Sequence, residues 1–254
     1  MLRKSTPHST VNFRIDASMK TSGPHLSSAP GHSRALGFAL IFAALLSFAP
    51  VAILGAAIGW PASLRNPAVQ QLGAIAAHAD AVAWGYGVYL LYSVLIAPVM
   101  VMLAGRVFGG FHRPVAVCVA VFAGLSALAR CIGILRWLTV MPELAAAHAK
   151  ADATGRAMLE LVFNAVHSYG GGIGEILGVG LFMALAVGTL SVAAWRDASM
   201  PKWLAGLGLL SSALLASMLL PALHVPVKVP VAMVVTVLTL WMAAAGAWAL
   251  RRPR

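Results

Sequence analysis

Six apolar stretches, each close to the ~20 residues that a helix needs to cross a hydrocarbon core about 30 Å thick, account for most of this chain. They run approximately over residues 35–59, 81–104, 114–138, 173–195, 203–223 and 229–250. Composition leaves little room for any other solvent. Of the 254 residues, 60% are hydrophobic and 10% charged, against about 45–50% and about 25% in soluble domains. A water-exposed surface of this size would need far more charge, whereas a helix in lipid satisfies its own backbone hydrogen bonds. The expected fold is all-α: a polytopic transmembrane bundle of about six spans, forming one domain over residues 34–250.

Residues 1–33 are polar and turn-rich, with Arg3, Lys4, Arg14, Lys20 and many Ser and Thr, the composition of a disordered basic arm. Residues 251–254 make a short basic tail, and Met19 is an alternative start. The first apolar run is too long and too far in for an ordinary cleaved signal peptide, so it is expected to be a retained span. Trp60, Trp195, Trp203 and Trp248 fall near predicted span ends, where amphipathic rings favour the headgroup layer. Pro50 and Pro98 lie inside spans one and two and are expected to kink packed helices rather than end them.

The 18 Lys and Arg exceed the 7 Asp and Glu, giving a net charge of +11. These charges sit at the ends of apolar runs, so anionic headgroups are the expected partner and nucleic acid is not. Their distribution also sets an orientation. With a cytoplasmic N-terminus, the arm, Arg34 beside it, the loops holding Arg106, Arg113, Arg196 and Lys202, and the tail carry twelve basic residues. The opposite side carries four, Arg65, Lys150, Arg156 and Lys228. By the positive-inside rule, both termini are expected to be cytoplasmic, in a bacterial-type inner membrane.

The two cysteines, Cys118 and Cys131, lie about 20 Å apart along one helix at ~1.5 Å per residue, too far to bridge. They are expected to be small buried residues. Two connections on the predicted outer side have length. Residues 60–80 contain an amphipathic patch at 69–77. In residues 139–172, His148, Asp152, Arg156 and Glu160 recur every four positions, so Asp152, Arg156 and Glu160 are expected to form a surface ion ladder on one helix, worth ~0.2–0.5 kcal/mol per link. The short segment 224–228 makes spans five and six a tight antiparallel hairpin.

Ionisable groups inside a span cost roughly 2.5–3.5 kcal/mol at its centre, so each needs a partner or a reason. Arg130, Arg136 and Glu175 are such groups. Counting from the span centres at ~1.5 Å per residue, Arg136 and Glu175 share a depth near the outer boundary, and Arg130 lies deeper. Ser126, Arg130, Gly133 and Trp137 share one face of span three, and Glu160, Asn164, His167, Gly171 and Glu175 form a polar and small stripe on the next helix. Gly170, Gly171, Gly172, Gly174, Gly178 and Gly180 would allow close backbone approach or unwinding at the boundary.

These residues predict a polar pocket of Arg130, Arg136, Asn164, His167 and Glu175 between spans three and four. Two uses stay open. One is an internal Arg/Glu contact that only fixes helix register; the other is a binding site for an unidentified small ligand, in a carrier or sensor. An enzyme is disfavoured. His148, His167, His224, Glu143 and Glu160 all fall on one side, but no metal, nucleophile-elbow or phosphate-loop motif is present, and no cofactor is implied. Tyr86, Tyr89 and Ser93 on span two could line a cavity or simply pack.

The order of elements resembles the bacterial family called domain of unknown function 4386, small membrane proteins of six or seven helices. The residues that carry the likeness are Arg113-Pro114 through Gly133 and Arg136, Gly174-Glu175, and Met200-Pro201-Lys202-Trp203-Leu204 with Gly206 and Gly208. It covers about 35–250, leaving the N-terminal arm outside. The resemblance implies membrane localisation and fold, and brings no catalytic residues.

Overall fold

The computed structural model describes residues 30–226 and 229–251; the basic arm and the end of the tail lie outside them. Regular structure among the described residues is helical: α1 (Pro30–Leu46), α2 (Phe48–Ile58), α3 (Ala68–Ala77), α4 (Ala79–Phe108), α5 (Pro114–Leu138), α6 (Val140–Lys150), α7 (Ala153–Gly171), α8 (Ala184–Arg196), α9 (Lys202–Ala216) and α10 (Val231–Arg251). A π-helix, Gly172–Met183, joins α7 to α8, and a 3₁₀ turn, Ser217–Leu223, extends α9. Six of the resulting continuous stretches are long and apolar enough to cross a membrane: Ser33–Ile58, Ala79–Phe108, Pro114–Lys150, Ala153–Arg196, Lys202–Leu223 and Val231–Arg251. The protein is a polytopic helical membrane protein.

Prolines explain two of the breaks. A proline removes the hydrogen bond to the carbonyl four residues earlier, and its ring crowds that carbonyl. Pro50 points at Leu46, where α1 ends, and Pro142 at Leu138, where α5 ends. Pro98, by contrast, is absorbed within α4.

The faces of α5 show which solvent surrounds it. Val117, Val121, Leu125, Leu128, Ile132 and Leu135 recur at helical spacing and are all exposed. Ser126, Arg130, Gly133, Arg136 and Trp137 are buried. An apolar face turned outward and a polar face turned inward suit lipid and would be unstable in water. Cys118 also faces outward and Cys131 is half-buried. The expectation of two buried cysteines is corrected: small apolar side chains are as comfortable against lipid as in a core. Trp203 is well exposed, but Trp248 is buried, with the Arg106 guanidinium 5.3 Å from its ring centroid.

At the centre, α5 packs on α4 on one side and on the π-helix on the other; α1 pairs with α10 and α8 with α9. The α1–α10 crossing brings both ends of the described chain to one end of the bundle. There Arg113 closes an ion pair with Asp197 at 2.5 Å, tying the α4–α5 connection to the end of α8. The apolar interior divides in two. A large core joins α1, α4, α5, α8, α9 and α10, and a smaller one at the far end gathers Leu54, Leu72, Tyr86, Trp137, Met141 and Phe163.

Residues 139–172 depart from expectation. They form a helical hairpin whose second arm, α7, runs straight into the fourth span. The chain is extended at Ala151, and Asp152 caps α7 by accepting a hydrogen bond from the Gly155 N–H at 2.8 Å. The ion ladder is therefore corrected. Asp152 is spent on the cap, and Glu160 instead meets His148 of α6 at 3.0 Å across the hairpin.

Candidate functional site

A cavity of about 740 Å³ opens where the two cores meet, toward the end of the bundle opposite the termini. Its polar wall comes from α5 and the α7–π segment: Arg130, Arg136, His167, Ser168 and Glu175. Aromatic rings back it, with Trp60 after α2, Tyr86 and Tyr89 on α4 and Trp137 on α5. Met218, Val229, Val231 and Val235 of the last two spans close the remaining side, together with Ile176 and Val179. Arg65, from the short connection before α3, reaches the rim.

Glycines make room for the two buried arginines. Gly170, Gly174 and Gly178 recur every four residues against α5. A Cβ at Gly170 would fall 2.6 Å from Arg136 Cδ, and one at Gly178 would fall 2.7 Å from Arg130 Cγ. Between them the backbones touch: a Cβ on Gly133 would sit 2.6 Å from the Gly174 Cα. The Ser126 hydroxyl clamps this crossing by donating to the Gly178 carbonyl at 2.7 Å. Of the two possibilities the sequence left for the glycine run, close approach is the one seen. The backbone does not unwind; it widens into a π-helix, a form that recurs at functional sites.

The charged groups are incompletely partnered. Arg130 is 4% exposed, and its guanidinium lies 4.7 Å from the Tyr92 ring centroid and 5.6 Å from that of Tyr89. Arg136, 8% exposed, donates from Nη1 to the Gly133 carbonyl at 2.6 Å and lies beside Trp137. Both Nε atoms are buried without a hydrogen-bond partner among the described residues, as are Tyr86 Oη and His167 Nδ1. The ion pairs within 4.0 Å among the described residues are Arg113–Asp197 and His148–Glu160. Glu175 has Arg136 as its charged neighbour, yet it stands exposed on the cavity wall and does not close a salt bridge with it.

Four of the five residues picked out in the sequence, Arg130, Arg136, His167 and Glu175, therefore line one cavity. Asn164 does not: it is exposed on α7 and outside the lining. His167 packs face-on against Phe163 and edge-on to Trp137, with centroids 5.6 and 5.7 Å apart. Tyr86 and Tyr89 are part of the wall, whereas Ser93 is buried elsewhere in α4. Arg65 and the apolar side from the last two spans carried no distinguishing sequence signal. Among the described residues no three His, Cys, Asp or Glu side chains converge as a metal site would require.

Fold and site together define a six-span helical membrane protein with a cation-lined cavity at one end. Residues 35–250 match the family described as Domain of unknown function (DUF4386), and the chain belongs to that family. No curated protein and no solved structure matches.

Proposed function

We propose that this protein sits in a bacterial inner membrane with both termini cytoplasmic, and binds a small ligand in an outward-facing cavity, as a carrier or sensor. The observation that carries this reading is the state of the buried charges. An Arg/Glu contact that served only to fix register would satisfy itself by touching. Here Arg136 gives one hydrogen bond to the Gly133 carbonyl, Arg130 lies against tyrosine rings, both line an open volume, and neither closes a salt bridge with Glu175. Burying charge without a full set of partners is costly, and a ligand offsets that cost when it arrives. The orientation rests on the excess of Lys and Arg at the terminal end, where these residues would also meet anionic headgroups.

The test is accessibility. Replacing Cys118 and Cys131 by alanine and introducing Gly171→Cys places a thiol on the cavity wall. A Cβ there meets only Arg136 Nη2, at an ordinary 3.6 Å. In intact cells this thiol should react with a membrane-impermeant maleimide. A thiol that stays unlabelled while one placed at exposed Asp152 reacts would rule out an outward-open cavity. Labelling of the Gly171 position only from the cytoplasmic side would reverse the proposed orientation.

A further inference from the structure

We infer that the ligand of this cavity is an amphiphilic organic anion, a carboxylate or phosphate attached to an apolar body. The inference rests on the binding reading above and adds its chemistry. Arg65, Arg130 and Arg136 face the volume against the single carboxylate of Glu175, so the wall carries an excess of positive charge. Arginine supplies planar, forked donors suited to carboxylate and phosphate oxygens, and Arg130 and Arg136 both line the volume without closing a salt bridge to Glu175. The rest of the lining has an apolar side: Met218, Val231 and Val235 of the last two spans, with Ile176 and Val179. A small hydrophilic anion would leave that side unsatisfied, and a neutral apolar molecule would leave the guanidiniums without an anionic partner. An anionic head among the arginines, with a hydrocarbon or aromatic body along the apolar wall, satisfies both. The same head chemistry could come from a free metabolite or from a phospholipid.

Hexyl phosphate, hexanoate, hexylammonium and inorganic phosphate, titrated against the full chain in phosphatidylcholine nanodiscs, distinguish these chemistries through tryptophan emission from Trp60 and Trp137. Hexyl phosphate and hexanoate should bind saturably, and Arg136→Gln should weaken both by about tenfold or more, as expected for losing a charge-assisted bond. Because that variant could also fail to fold, Glu175→Gln provides a change of opposite sign. Removing the one carboxylate should tighten anion binding several-fold, which no folding defect would do. Added phosphatidylglycerol that competes with hexyl phosphate makes the natural occupant a lipid, and failure to compete makes it a free amphiphile; either agrees with the inference. Hexylammonium binding as tightly as the anions, inorganic phosphate binding as tightly as hexyl phosphate, or Glu175→Gln weakening the anions would overturn it. If Gly171→Cys labels from outside but neither anion binds, the chemistry assigned here fails while the binding cavity stands.

Discussion

Gly133→Ala is expected to destabilise the protein by about 1–3 kcal/mol, the range for overpacking a well-filled interface, and to lower its unfolding temperature in dodecyl maltoside by several degrees. The methyl group would fall 2.6 Å from Gly174 Cα and 2.9 Å from both the Gly174 N and the Gly170 carbonyl oxygen. All three are backbone atoms, so no rotamer change can relieve the clash. The fifth helix and the π-helix must move apart. Separation would also stretch the Ser126–Gly178 bond, 2.7 Å in the intact protein. Between membrane helices there is little hydrophobic drive to compensate, because lipid solvates apolar side chains as well as a neighbouring helix does; contact distance carries the stability. Gly172→Ala is the control. Its Cβ would meet nothing within 4 Å, so the unfolding temperature followed by circular dichroism should not fall, alanine being the better helix former. Equal losses for the two variants would mean that the loss at Gly133 does not come from its close contact with Gly174.

Trp137→Ala should cost more, about 3–5 kcal/mol by analogy with aromatic truncations in packed cores. Trp137 is 3% exposed and lies parallel to Tyr86, with centroids 4.7 Å apart and planes inclined by 6°. It also receives the edge of His167 and lies alongside Arg136. One side chain thus joins the smaller core to the cavity wall. Trp137→Phe keeps a ring for Tyr86 and should recover most of the loss in the same melting experiment. A tryptophan-to-alanine change that left the unfolding temperature unmoved would show that this end of the bundle packs without it.

The spans were legible because lipid imposes a length and an apolar content that few other structures share. The facing stripes of the third and fourth spans were legible for a related reason: Arg130, Arg136 and Glu175 stand out against an apolar background, and glycines at four-residue spacing mark a close crossing. The helical hairpin was harder. A four-residue rhythm from His148 to Glu160 looks like one helix unless the break at Ala151 and the capping preference of Asp152 are given priority. The same rhythm drew Asn164 into the site, although that part of α7 turns the residue away from the cavity. The apolar wall was invisible for a physical reason. Valine and methionine facing a cavity have the same sequence signature as valine and methionine facing lipid, and only the packing of six helices distinguishes them.

The notches that Gly170 and Gly178 open for the arginine stems bear on how this protein can diverge. A larger residue at either notch is intolerable while its arginine remains, because the stem has nowhere else to lie. Once the arginine shortens, the constraint on the glycine disappears. Positions 136 and 170, and likewise 130 and 178, should therefore change in pairs among relatives, a linkage that an alignment of the family would display directly.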